Sequence, residues 1–423
     1  MEWQAWFATV VFLIVYGFII SENIHRTVVA LCGAAILILL GVVNQGEALT
    51  YIDFNTIGLL LGMMIIVNIT RTTGVFEFVS IKAAQRTGGD PVKIMIALAA
   101  VTAIASAFLD NVTTVLLIVP VTLSICRQLA LPALPFMVTQ IFASNIGGTA
   151  TLIGDPPNIM IGSAANLGFV DFIVNLAPII VIIFVVTIYI FTLIYGKRLK
   201  VEEDKKSVLR NMNPYETITD RVLLRKSLLV IAVVLLGFIL HQNLSLESAT
   251  IAMSGAALLM LLTGDDPEAS LGSVEWGTLF FFIGLFILVG GLVKVGIIEI
   301  VAHRAVDMTQ GSLPALAMLI LWFSALASAF VDNIPFVATF IPLIKDIGNI
   351  SGMDISSLWW ALSLGACLGG NGTLIGASAN VIVSGLMARE EEPMSFVRYM
   401  LVAFPVMLVS IVLSMIYLLV VYL

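Results

Sequence analysis

The stretch Ser106-Ala107-Phe108-Leu109-Asp110-Asn111, followed by a run that closes at Pro120, is written a second time as Ser328-Ala329-Phe330-Val331-Asp332-Asn333, closing at Pro342. Each copy sets an Asp-Asn pair inside apolar sequence. A carboxylate at the centre of a membrane helix costs about 2.5–3.5 kcal/mol on insertion scales, and such residues mark ion paths and proton relays. Two at matching places point to a duplicated element with a shared purpose.

Around these stretches the chain is written for a bilayer. Of its 423 residues 60% are hydrophobic and 11% charged, with a mean hydropathy of +1.09, against about 25% charged in soluble domains. Apolar runs of about 20 residues, the length that spans a membrane, recur from Trp3 to Leu423. The first, Phe7 to Ile20, lacks the basic flank and small-residue cleavage site of a signal peptide and reads as a retained span. The expected fold is an all-α polytopic membrane protein. The net charge of −7 says little about partners, and nothing in the sequence suggests nucleic acid.

The two Asp-Asn stretches lie 222 residues apart, and that offset holds without a gap elsewhere. Gly33 answers to Gly255, Thr56 to Thr278, Gly62 to Gly284 and Glu77 to Glu299. Gly147-Gly148 matches Gly369-Gly370, Thr151 to Gly154 matches Thr373 to Gly376, and Asn158 matches Asn380. The chain is therefore expected as two repeats, 1–196 and 227–423, joined by a polar linker at 197–226.

In the first repeat spans are expected near 3–20, 26–43, 55–72 and 175–196, with an amphipathic interfacial piece at 75–86. The runs meeting at Asp110-Asn111 read as a re-entrant hairpin over about 93–127, since non-helical backbone at membrane depth is tolerated where protein covers it. The run at about 135–167 is expected to break at Gly147-Gly148 and again at Gly154-Asp155-Pro156-Pro157-Asn158, because paired prolines cannot continue a helix. The second repeat places its hairpin at about 313–347 and its broken helix at about 356–386. Five crossings and a hairpin per repeat invert one repeat relative to the other. With the linker in the cytoplasm, 17 of the 20 Lys and Arg fall inside, as the positive-inside rule requires. Both termini then lie outside.

Inverted repeats with broken helices point to a secondary transporter whose site sits near the midplane. The candidate substrate-binding residues are Asn111, Thr113, Thr114, Thr149, Thr151, Asn158, Asn333, Asn371, Thr373, Ser378 and Asn380. Asp110, Asp332 and Asp155 are candidates for proton or cation coupling. Asp110 and Asp332 also fit helix N-caps; Asp155 fits a turn former or an ion carrier, and its repeat partner is Ala377. Gly147, Gly148, Gly154, Gly369, Gly370 and Gly376 are expected as close-packing or hinge positions. The motifs carry no Lys or Arg. Cys32, Cys126 and Cys367 show neither disulfide nor zinc spacing, His25, His241 and His303 sit near span ends, and no metal site or cofactor is expected. A channel would need a continuous polar path, which the apolar spans do not offer. An intramembrane enzyme would need a nucleophile with an adjacent base, which is not visible.

The string Asn145-Ile146-Gly147-Gly148-Thr149-Ala150-Thr151-Leu152-Ile153-Gly154-Asp155-Pro156-Pro157-Asn158, with the two Ser-Ala-Phe-x-Asp-Asn stretches, resembles the arsenite permease and sodium/proton antiporter (ArsB/NhaD) family of the ion transporter superfamily. The melanosomal P protein carries similar strings. The resemblance implies a cytoplasmic-membrane protein of two inverted repeats, a homodimer that moves by an elevator mechanism. It implies proton-coupled efflux of arsenite or antimonite, or sodium/proton antiport, with dicarboxylate or citrate transport in more distant branches. An ATPase subunit would be a partner in some members, as this chain has no Walker loop.

Overall fold

The computed structural model describes residues 2–21, 23–202, 205–206, 209, 211–264 and 266–423. Five residues of the expected linker, 203–204, 207–208 and 210, lie outside the described residues. In the first repeat the helices are α1 (Glu2–Ser21), α2 (Arg26–Leu39), α3 (Gln45–Tyr51), α4 (Phe54–Arg71), α5 (Val75–Arg86) and α6 (Pro91–Phe108). They continue as α7 (Asn111–Leu129), α8 (Leu134–Thr149), α9 (Pro156–Ala165), α10 (Phe169–Asn175) and α11 (Ala177–Tyr195). The second repeat holds α12 (Arg221–Leu244), α13 (Ser248–Thr263), α14 (Pro267–Gly272), α15 (Trp276–Lys294) and α16 (Ile297–Met308). It ends with α17 (Leu313–Phe330), α18 (Asn333–Ser351), α19 (Ser356–Gly369), α20 (Ser378–Arg389) and α21 (Phe396–Val421). Among the described residues there are no strands, and ten helices are long and apolar enough to cross a membrane.

The repeat carries through to the helix boundaries. α2 through α9 begin at residues 26, 45, 54, 75, 91, 111, 134 and 156, and α13 through α20 begin 222 residues later in every case. The starts are set locally. Asp53, Asp90, Asp110, Asp220 and Asp332 accept hydrogen bonds from first-turn amides, which satisfies donors a helix start leaves open. Pro91, Pro156 and Pro267 occupy first-turn positions where a missing N–H is harmless.

Two expectations are corrected. The span placed at 26–43 stops at Leu39; Gly41 turns with φ +72°, and a capping box between Asn44 and Glu47 starts the separate helix α3. The Gly147-Gly148 pair does not break its helix either: α8 runs through both glycines and the break falls at 150–155. A Cβ on Gly147 would stand 2.2 Å from Ala103 O of α6, and one on Gly369 2.4 Å from Ala325 O of α17. The glycines let each hairpin arm lie against its broken helix.

The repeats also meet each other reciprocally. Gly62 of α4 lies against Ala252 and Met253 of α13, and Gly284 of α15 lies against Ala30 and Leu31 of α2. Because position i of one repeat meets j of the other and j meets i, the pairing is that of a pseudo-two-fold axis. The linker folds back on α5 and the turn before it: Gln85 Nε2 donates to Leu209 O and Met212 O at 3.0 and 2.6 Å, and Thr219 Oγ1 donates to Thr72 O at 2.6 Å.

Candidate functional site

Each hairpin tip is docked on the break of its own broken helix by the same bonds in both repeats. Ser106 Oγ donates to Ser144 O at 2.7 Å, and Ser328 Oγ donates to Ala366 O at 2.6 Å. Thr151 Oγ1 donates to Ala107 O at 2.5 Å, and Thr373 Oγ1 donates to Ala329 O. Inside the breaks, Asn158 Nδ2 donates to Thr149 O and Thr151 O at 3.1 and 2.9 Å, and Asn380 Nδ2 donates to Gly370 O and Thr373 O at 2.7 and 2.9 Å. Buried carbonyls without a helical partner need such donors. Thr149, Thr151, Asn158, Thr373 and Asn380 are thus engaged in holding the breaks open. Gly148 and Gly154 face each other across one break, and Gly370 and Gly376 across the other, each too close for a Cβ.

The two broken helices cross at the centre of the molecule. Asn145 Nδ2 donates to Asn371 Oδ1 and Asn380 Oδ1, both at 3.0 Å. Its repeat partner Cys367 donates to Asn158 Oδ1 at 3.7 Å, beside Ser363 Oγ at 2.6 Å. Asn111 Nδ2 joins this network through Asn145 Oδ1 at 3.2 Å. Asn371 Nδ2 and Thr114 Oγ1 are buried with no protein hydrogen bond.

Beside the crossing lies a cavity of about 110 Å³. From the expected residues it gathers Asp110, Asn111, Asp155, Asn333 and Ser378. Thr113 does not line it but supports it, giving its amide and hydroxyl to Asp110 at 2.8 and 2.5 Å. Asp110 is therefore both N-cap and cavity wall. Asp332 caps Ile334 N at 3.1 Å and accepts from Arg26 Nη1 and Ser378 Oγ, each at 2.8 Å.

Asp155 behaves differently. It occupies the N-cap position of α9 and is fully buried, yet its side chain caps nothing. An N-cap oxygen accepts from the second or third amide of the helix; Pro157 removes the second, and Asn158 N bonds the Asp155 carbonyl at 2.9 Å. Asn333 Nδ2 meets the freed carboxylate oxygens at 3.3 and 3.4 Å. The double proline thus leaves a buried carboxylate turned toward a polar cavity.

Three polar lining residues were missed from the sequence. Arg26 at the start of α2, and Glu275 and Thr278 at the start of α15, also line the cavity, so a guanidinium reaches the site from outside the motifs. These residues sit at span ends, where charge is ordinary, and only the packing of α2 on α15 turns them inward. The one available signal was the register, which pairs Glu275 with the capping Asp53.

A cavity lined by Asp110, Asp155 and Glu275, set among broken helices in a bundle with ten helices long and apolar enough to cross a membrane, is the arrangement of a multi-pass membrane protein with a polar internal site, and the relatives make it a transporter. The family model described as citrate transporter (CitMHS) matches residues 16–365, and the chain belongs to that family. An uncharacterized transporter of Mycobacterium tuberculosis is 44% identical over 97% of both chains. The P protein of Homo sapiens is 34% identical over 99% of this chain and 60% of its own length. The crystal structure of the YdaH transporter of Alcanivorax borkumensis, described as having an unusual topology, superposes with a TM-score of 0.60 over 89% of this chain and 86% of that one; at 15% identity the likeness is one of fold.

Proposed function

We propose that the protein is a proton-coupled secondary transporter of the cytoplasmic membrane whose cargo is a trivalent metalloid hydroxide, arsenite or antimonite, exported through the carboxylate-lined cavity. The observation that carries this reading is Asp155, a fully buried carboxylate without a capping bond that opens on that cavity. At roughly 10–15 Å³ per water-sized position, about 110 Å³ suits a small solute. The amides of Asn111 and Asn333 and the hydroxyls of Ser378 and Thr278 supply donors and acceptors for an uncharged trihydroxide, while Asp155 and Asp110 exchange the proton. The inverted arrangement, with the tips entering from opposite sides, is supported by the 17 of 20 Lys and Arg that it places inside.

Sodium/proton antiport is the second reading, favoured by the excess of carboxylate and amide oxygens over the single guanidinium, a donor set for hard cations. Citrate, the cargo in the family's description, is supported by Arg26; that guanidinium already faces Asp332, and a polyanion would need cations beside it in so acidic a cavity. Purified protein in liposomes with a pH-sensitive dye inside separates these readings when arsenite, antimonite, sodium or citrate is added in turn. Proton movement on adding metalloid alone supports the first reading; a response to sodium or citrate without metalloid moves the cargo to that branch.

A further inference from the structure

The central cavity has a neighbour of about 310 Å³, lined by His25, Arg26 and Asp332 among others, and the two share Arg26, Ser378 and Ile382 as their common wall. Asp110 and Asp155 face only the inner space, whereas Asp332 faces only the outer one. Arg26 Nη1 donates to Asp332 Oδ2 and to Ser378 Oγ, both at 2.8 Å, and Ser378 Oγ donates to the same carboxylate oxygen at 2.8 Å. The guanidinium also lies 5.0 Å from the centre of the Phe281 ring, within cation–π range. A partly buried charge held by a carboxylate, a hydroxyl and a ring stays where it is put.

The other repeat provides an internal comparison. A cavity of about 260 Å³ is lined by Ile159, His241, Leu246, Glu247 and Ser248. In the 222-residue register these answer to Val381, Ile19, Ile24, His25 and Arg26 of the outer cavity. The two vestibules are images of one another in the repeat, yet Ser248 stands where Arg26 stands, and Pro156 where Ser378 stands. The ion-paired wall belongs to one vestibule alone.

We infer that Arg26, Asp332 and Ser378 form the gate between this vestibule and the inner cavity, with Arg26 the gating residue. The gate joins two bodies. Arg26 rides on α2, which packs on α15, while Asp332 and Ser378 ride on a hairpin tip and a broken helix. Movement of those elements past α2 separates the pair and opens the wall. By neutralising Asp332 the gate also leaves Asp110 and Asp155 as the hairpin and broken-helix carboxylates that face the cargo. This inference rests on the cavity being the transport site and not on the identity of the cargo.

The test places a thiol in the inner cavity, Met64→Cys, in protein whose three native cysteines are replaced. The rate at which a membrane-impermeant thiol reagent labels it is then compared in proteoliposomes across gate variants. Arg26→Ala and Asp332→Asn are each expected to speed labelling by roughly tenfold, a factor between the small one of an exposed pair and the larger one of a fully buried pair. The double variant should be no faster than either alone, and the exchange Arg26→Asp with Asp332→Arg should return labelling toward the slow rate. Should Arg26→Ala fail to fold, Asp332→Asn and the exchange carry the comparison. Unchanged labelling in either single variant, or additive effects in the double, would overturn the gate. Labelling needs no turnover, so a wrong cargo leaves this result intact.

Discussion

Asp110, Asp332 and Asp155 were the three coupling candidates, with Asp155 set apart by its lack of a repeat partner, and their surroundings divide them further. Asp332 is neutralised by Arg26, Asp110 is shared between Thr113 and the cavity, and Asp155 caps no helix amide and meets the amide of Asn333 at 3.3 and 3.4 Å with the Cys367 thiol beside it. The sequence made Asp155 conspicuous, because Ala377 opposite it in the register shows that the fold does not require a carboxylate there. What it did not convey is that Pro157 withholds the amide the carboxylate would otherwise cap. Pro157→Ala restores that donor, and cargo-driven proton flux in proteoliposomes is expected to fall several-fold in protein that remains folded. Asn158 and Asn380 were legible as polar groups in the breaks, but a side chain that binds solute and one that pins backbone look alike in sequence. Each donates to two carbonyls, so Asn158→Ala and Asn380→Ala are each expected to lower stability by about 1–3 kcal/mol, measured by thermal unfolding in detergent.

The broken helices and their hairpins were legible as elements because Asp-Asn and Pro-Pro interrupt apolar runs that are otherwise continuous. The break itself moved from Gly147-Gly148 to 150–155, and the reason is packing: a glycine that admits a neighbouring backbone and one that ends a helix are the same letter. Gly147 and Gly369 approach Ala103 and Ala325 backbone within a Cβ's width, so Gly147→Ala and Gly369→Ala are expected to cost about 1–3 kcal/mol through overpacking. Gly17, with nothing within 4 Å of its added Cβ, is the control: Gly17→Ala is expected to be neutral or slightly stabilising, and differential unfolding of the three variants checks both statements. Arg26 and Glu275 were hidden at this scale, because each lies at an ordinary helix start and reaches the cavity only when α2 and α15 pack across the repeats.

For the molecule as a whole, the 222-residue register recurs in the helix starts of the two repeats, although Asp155-Pro156-Pro157 of one break answers to Ala377-Ser378-Ala379 in the other. The register does not carry how the repeats lie across the bilayer, which the basic residues address. Tyr215 in the linker and Met308 at the end of α16 are both exposed. If the repeats are inverted with the linker inside, Tyr215→Cys is labelled only after cells are opened and Met308→Cys is labelled in intact cells; the same sidedness for both would contradict it. The helices around the central cavity come from both repeats, so coupling is a property of the whole chain and is best tested on the whole protein at work. The most direct measurement is cargo-driven proton movement by Asp155→Asn protein in dye-loaded liposomes, beside the unsubstituted chain, with folding verified by thermal unfolding. If Asp155 carries the coupling, the substituted protein stays folded and moves no protons when cargo is added; proton movement at the unsubstituted rate would contradict the central role of that carboxylate.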